Sequence, residues 1–431
     1  MSGDTIAAPV SGQEPGGAPS GFEDDRSADS LGASAKAYVD RVRGGDLGAL
    51  PAVLGIVVLG LLFFALRPET FLTPRNMANL ADQAAPIIIL AMGLVFVLLL
   101  GEIDLSAGWT AGVAAAIMGI AVTRNGWPWW LAIVVCLLTG AVIGTAIGLL
   151  VARLGIPSFV VTLAAFLALQ GVLLKLIGEG GTIAIRDKVL LAINNNTMPV
   201  WLGWTVTAVI VGAYAAVSLH RAASRRAGGL QSEATSLVVA KVVVLAVLLG
   251  ALTAYLSTER SRNPAVSSIK GVPEVVLLLV LLVVGLTFVL SRTAFGRHVY
   301  AVGGNAEAAR RAGINVKQVK LYCFIIGSTL AAVGGILLAS RDNSISPSTG
   351  GAETLLYAVG AAVIGGTSLF GGKGKILDAV LGGLVIAIII NGMGLLNQPS
   401  SVIYMVTGLV LLVAASVDAL SRRRAAASGR V

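Results

Sequence analysis

Residues 291–320 read SRTAFGRHVYAVGGNAEAARRAGINVKQVK, a polar stretch between two long apolar runs that carries Arg292, Arg297, Arg310, Arg311, Lys317 and Lys320. Asn305 is a good N-cap, Glu307 falls in the first turn, Arg310 and Arg311 close the last turn, and Gly313 suits the left-handed position after a helix. The pattern predicts a short helix capped at both ends by its own residues. Placed on a basic loop between two membrane spans, such a helix is either a lever for a soluble partner or a solvated loop helix with none.

The surroundings fix the kind of chain that carries it. Of 431 residues, 56% are hydrophobic and 12% charged, about half the roughly 25% charged fraction usual for soluble domains. An all-α, polytopic helical membrane protein follows. The net charge of +9 would suit nucleic acid, but the basic residues fall in short loops between apolar runs, which is a signature of membrane topology. The expected surroundings are membrane lipids, with no nucleic-acid partner. Cys136 and Cys323 lie inside apolar runs and read as packing residues. Residues 1–45, rich in Gly, Pro, Ser and acidic residues, read as a disordered cytoplasmic tail; 46–420 form the membrane domain, with its loop at 292–320, and 421–431 a basic tail.

A bilayer-spanning helix needs about 20 mostly apolar residues. Runs of this kind lie near 50–66, 84–101, 103–123, 128–152, 157–178, 198–219, 236–256, 273–291, 320–340, 353–371, 376–396 and 401–420. About ten to twelve spans are expected, because 103–123 and 353–371 are Gly-rich and polar-interrupted and leave a broken or re-entrant segment open. With a cytoplasmic N-terminus and twelve crossings, 20 of the 31 Lys and Arg fall inside and nine outside. That bias obeys the positive-inside rule and places 292–320 and both termini in the cytoplasm.

Ahead of the second span, Thr73 and Pro74 open an expected interfacial helix with Phe71, Met77 and Leu80 as its apolar stripe. Trp127, Trp129, Trp130, Trp201 and Trp204 mark an outer aromatic belt. The polar segment 220–235 is a plausible join between two weakly similar halves. Their echo is GEIDLSAG (101–108) against GGTSLFGG (365–372), each followed by about 20 residues rich in small side chains. Paired Gly-interrupted segments point to a transport pathway, and glycine-mediated helix packing is the plainer reading.

Few residues offer chemistry. Glu102 and Asp104 stand in a largely apolar stretch, where a carboxylate normally faces a cavity or a partner. Either Asp104 and Ser106 line a path for a hydroxylated solute, or Asp104 caps the third span at its cytoplasmic end with its charge hydrated; the topology favours the cap. His220 and His298 are the only histidines, so no metal site, His-based triad or cofactor is expected. GGKGKI around Lys373 and Lys375 lacks the spacing of a phosphate-binding loop. The chain is not expected to be an enzyme, and energy for active transport would come from another subunit or from an ion gradient.

Five stretches in order, TFLTPRNMANLADQAAP, GEIDLSAG, ARLGIPSFVVTLAAF, TAFGRHVYAVGGNAEAARRAGINV and AAVIGGTSLFGGKG, resemble the permease subunits of bacterial ATP-binding-cassette importers for monosaccharides such as ribose, galactose and xylose. The GEIDLS form and the GLQSE linker look closest to the xylose branch. The resemblance implies a homodimer in the bacterial plasma membrane, an extracytoplasmic sugar-binding protein and two copies of an ATP-binding subunit. It assigns Gly304, Asn305, Glu307, Ala308, Ala309, Arg310 and Gly313 to the helix that docks on the ATPase. Glu102, Asp104, Ser106, Gly365, Gly366, Thr367 and Ser368 become candidates for a solute pathway or gate. Two departures stand out: Glu102 replaces a usual Gly, and Leu355 and Tyr357 stand where the family pattern carries carboxylates, with Glu353 two residues away. The alternative reading is an ion-coupled carrier of a small polar solute acting without an ATPase.

Overall fold

The computed structural model describes residues 48–228, 235–261, 263–266 and 268–427. The expected N-terminal tail, part of the 220–235 linker and residues 428–431 lie outside the described residues. In hydrocarbon, backbone polar groups must be satisfied within the segment itself, so each apolar run becomes a helix. These are α1 (Leu50–Leu66), α2 (Pro74–Leu99), α3 (Ala107–Thr123), α4 (Trp129–Ala152) and α5 (Ser158–Ile177). After a short helix α6 (Lys188–Asn195) come α7 (Val200–Ala227), α8 (Thr235–Leu256) and α9 (Glu274–Arg292). The polar stretch forms α10 (Ala294–Gly304) and α11 (Ala306–Arg311), and α12 (Val316–Arg341), α13 (Ala352–Gly365), α14 (Ile376–Leu395) and α15 (Ser400–Ala427) complete the chain. Among the described residues eight helices are long and apolar enough to cross a membrane, while Leu50–Leu66, Ala107–Thr123, Ala352–Gly365 and Ser400–Val413 are shorter apolar helices.

Several boundaries differ from expectation, each for a local reason. The interfacial helix and the second span are one continuous helix, α2, which starts at the Thr73 cap and carries Pro86 inside it. The Asp82 carbonyl that Pro86 leaves without its helical donor accepts instead from Asn194 Nδ2 at 3.3 Å, a tolerance common in membrane helices. Helix α6 is new: Asp187 caps it by accepting from the amides of Val189 and Leu190. A two-residue antiparallel pair, β1 (Ile183–Ala184) with β2 (Ser344–Ile345), joins loops about 160 residues apart in sequence. The apolar run 320–340 is extended at its start by the polar turn 316–319, so α12 rises directly out of the basic loop.

The core is made of α2, α3, α4, α12, α13 and α14, arranged as two interlocked sets. In the first set α3 packs on α4, and in the second α13 packs on α14; α4 lies against α12, and α14 against α2. Helices α2 and α12 cross at Gly93 and Gly327, where a Cβ on Gly93 would come within 2.8 Å of the Gly327 carbonyl. The sets run in opposite directions. Helix α2 ends where α12 begins, since Glu102 pairs with Lys320. Inverted repeats of this kind recur in transporters.

The repeat matches different segments from those the glycine echo suggested. The counterpart of the non-helical 100–106, between α2 and α3, is 342–351, between α12 and α13. The start of GEIDLSAG and the end of GGTSLFGG instead meet at one end of the bundle, where Gly101 lies against Phe370 and Gly371 and where Gly101, Gly371 and Gly372 all adopt positive φ. Their likeness reflects a shared need for tight turns. The second half of the expected echo therefore stands in a turn between helices, and the second non-helical break of the repeat lies at 342–351.

Candidate functional site

At the end of the bundle that carries the basic loop, α11 is built as its residues require. The Asn305 side chain accepts from the Ala308 amide at 2.9 Å, and Gly313 takes φ +84° beyond the last turn. Glu307 accepts from Arg310 at 2.8 Å and from Arg311 at 3.2 Å. Arg310 first, and Arg311 after it, hold the Glu307 carboxyl below the usual carboxylate range. Only Ala309 of this helix is buried; Gly304, Asn305, Glu307, Ala308, Arg310, Arg311 and Gly313 are exposed. The result is a rigid, solvent-facing knob whose charges are largely paired within itself.

The loop that carries the knob is tied to the segment after α2 and to the 366–375 turn. Lys320, in the first turn of α12, forms a partly buried ion pair with Glu102. The amide of Gly372 donates to the Leu99 carbonyl at 2.9 Å, and Tyr300 Oη on α10 donates to the Gly374 carbonyl at 2.7 Å. Gly303, at the end of α10, lies so close to Leu99 and Gly372 that any side chain there would collide with both. The ends of α2 and α10 and the 366–375 turn thus meet at one junction. The sequence alone places Glu102 in a candidate pathway and Lys320 in the loop; the structure joins them.

Asp104 and Ser106 lie deeper. The segment 100–106 folds back into the bundle, with the Ile103 amide donating to Ser158 Oγ at 3.2 Å. Asp104 accepts from the Ser106 amide at 2.8 Å and from Ser106 Oγ at 2.6 Å. It caps the start of α3, in keeping with the plainer reading, but it is 1% exposed rather than hydrated. The helix starts inside the protein, with Gly108 close against the carbonyls of Gly350 and Gly351 and Gly350 in turn close to Gly112. The entries to α3 and α13 therefore meet within the core.

Gly365, Gly366, Thr367 and Ser368 form the turn that ends α13. Gly366 is left-handed at φ +117°, Gly365 lies directly on the Asp378 backbone, and Thr367 Oγ1 donates to Asp378 Oδ2 at 3.2 Å. Asp378 also accepts from the Lys375 amide at 2.7 Å, closing the N-terminus of α14. Asp378 is legible in the sequence as a first-turn acid three residues after Lys375, but not as the anchor of this turn. Leu355 and Tyr357 are buried in apolar packing, whereas Glu353 is exposed and accepts from Tyr404 Oη at 2.8 Å. Glu353 lies one turn before Tyr357 on the same helix and interacts with its side chain, so it shares a face with position 357 while staying exposed.

A polytopic helical bundle with inverted halves, broken helices in its core and an exposed, self-capped helix on its basic loop has the build of a membrane transport subunit. Residues 76–415 match the model of the family described as the branched-chain amino acid transport system / permease component, and the chain belongs to that family. It is 38% identical over 380 residues to the xylose transport system permease protein XylH of Escherichia coli K12, covering 88% of this chain and 93% of that protein. XylH of Haemophilus influenzae is 34% identical over 378 residues, 86% of this chain and 96% of the relative. The ribose import permease protein RbsC of E. coli K12 is 29% identical over 371 residues, 85% and 92% respectively. No solved structure matches.

Proposed function

We propose that the chain is the membrane-spanning subunit of an ATP-driven importer for a monosaccharide, with a pentose such as xylose as its solute. The observation that carries this is the 38% identity to a xylose permease along nearly the full length of both chains. In this reading the loop end faces the cytoplasm, as the excess of basic residues there requires. Two ATP-binding subunits grip α11 on a homodimer, and an extracytoplasmic protein delivers sugar to the opposite end. Closure of the ATPases displaces the knob. Its motion reaches the core by two routes, through Lys320 and Glu102 to the segment 100–106, and through Gly303 to the 366–375 turn. A shift there re-sets the entries of α3 and α13 and so switches access.

The ion-coupled carrier is less favoured, because the relatives named above are permeases of transport systems and the exposed knob has no role in a carrier acting alone. The decisive experiment measures ATP hydrolysis in proteoliposomes holding this chain and its candidate ATP-binding subunit, with and without sugar-loaded binding protein. Stimulation by one loaded sugar is expected. Failure of the two chains to co-purify would overturn the docking role. Replacing Glu307 or Gly313 should abolish uptake while membrane insertion stays normal; at Gly313 any side chain meets left-handed strain of about 1–2 kcal/mol.

A further inference from the structure

At the end opposite the knob, a set of half-buried and buried polar side chains carries buried atoms without enough partners. Asp82 and Gln83 lie in the third turn of α2. Asn194, at the end of α6, is fully buried and donates from Nδ2 to the Asp82 backbone carbonyl at 3.3 Å, so the two helices abut at this turn. Arg260, in the loop between α8 and α9, is 8% exposed and donates from Nη2 to the Gly271 carbonyl at 2.8 Å. Arg260 and Arg341, the last residue of α12, both lie near enough to act on the Asp82 carboxylate electrostatically. Among the described residues, four buried atoms here have no hydrogen-bond partner: Asp82 Oδ1, Gln83 Oε1, Asn194 Oδ1 and Arg260 Nη1. Buried polar groups are nearly always paired, so four unpaired ones from three adjoining elements mark a place where something else completes them.

Their chemistry selects the occupant. Three of the four are acceptors, one belonging to a carboxylate, which disfavours an anion. Two guanidinium groups act on that carboxylate from beyond ion-pair distance, which disfavours a cation. What remains is a neutral solute that offers several O–H donors and can also accept from Arg260. We infer that Asp82, Gln83, Asn194 and Arg260 form a recognition site for a neutral polyhydroxylated solute of monosaccharide size, at the end of the bundle opposite the docking knob. The inference deepens the importer reading and rests on it for the direction of entry: the site lies where a binding protein would deliver sugar. Its elements also explain how occupancy could be felt, since α2 and α12 both run from this cluster to the Glu102 and Lys320 pair.

The test uses the full chain alone in lipid nanodiscs and saturation-transfer NMR, which detects weak binding. Probes are D-xylose, D-ribose and D-galactose, with acetate and tetramethylammonium as anion and cation. Saturation transfer to at least one sugar and to neither ion is expected. Asp82→Ala and Gln83→Leu should each weaken it about tenfold, the effect of losing one strong hydrogen bond. Gln398→Ala, exposed at the same end, should leave it unchanged. Thermal unfolding of each variant identifies any that fails to fold; if Asp82→Ala is one of them, Gln83→Leu decides the outcome. No sugar signal from the wild type, a signal that both substitutions leave intact, or equal signals from the ions would each overturn the site. The docking reading is judged separately by co-purification with the ATPase, which does not depend on this cluster.

Discussion

Glycines 140, 144 and 148 of α4 lie one turn apart and face α12, and replacing the middle one gives a test of the core. A Cβ at Gly144 would sit 2.5 Å from the Phe324 carbonyl oxygen, 2.8 Å from Ile325 Cα and 2.9 Å from Ser328 Cβ. Comfortable contacts of these kinds lie near 3.3–4.0 Å, so α4 must retreat by roughly 0.8–1 Å. Gly140 approaches Ser328 as closely and Gly148 meets Leu321 at 2.8 Å on the same face, so the retreat opens the interface along its length. Overpacking of this size costs about 1–3 kcal/mol, offset by up to about 1 kcal/mol from alanine's better helix propensity. A Cβ at Gly171 on α5 meets nothing within 4 Å, so Gly171→Ala should be neutral or slightly stabilising. The expected difference between Gly144→Ala and Gly171→Ala is about 2 kcal/mol, roughly 30-fold in the unfolding equilibrium. Steric trapping in micelles or bicelles reads it directly. Equal stability of the two variants would refute the claim that α4 and α12 are held together by backbone contact.

Three further outcomes follow from named contacts. Glu102→Lys and Lys320→Glu should each impair sugar uptake, and the double exchange should restore part of it; no rescue in a transport assay would sever the proposed link between knob and core. Asn76 and Asn391 exchange reciprocal amide hydrogen bonds at 2.8 and 3.0 Å between α2 and α14. A double-mutant cycle with alanine should give a coupling of about 0.6–2 kcal/mol in unfolding free energy, and a coupling near zero would deny the pair a structural role. Glu259 accepts from Ser268 Oγ and from the amides of Ser261 and Ile269, which brings its carboxyl down to about 2. Because the folded value lies below the ordinary 4.5, this set of hydrogen bonds to Ser261, Ser268 and Ile269 is complete above pH 4.5 and is lost as pH falls from there towards 2. Hydrogen-exchange protection at Ser261 and Ile269 should decay over that window, and Glu259→Gln should abolish the decay.

What the sequence determined by itself is the set of elements that local physics settles. Apolar runs had to become helices because hydrocarbon leaves the backbone no other partner, and α11 was legible because Asn305, Glu307 and Gly313 fix both its ends within one turn each. Helix α6 carried a signal as well, in the Asp187 cap. Tertiary structure alone decided the rest, since it rests on contacts between residues far apart in the chain. Asp104 could be read as a cap but not as buried, because burial depends on how far 100–106 folds back against α5. The pairing of Glu102 with Lys320 and the convergence of Asp82, Asn194, Arg260 and Arg341 join residues on different helices. Similar glycine motifs misled about the repeat for the same reason: a tight turn needs Gly wherever it occurs, while symmetry is a property of how whole helices cross.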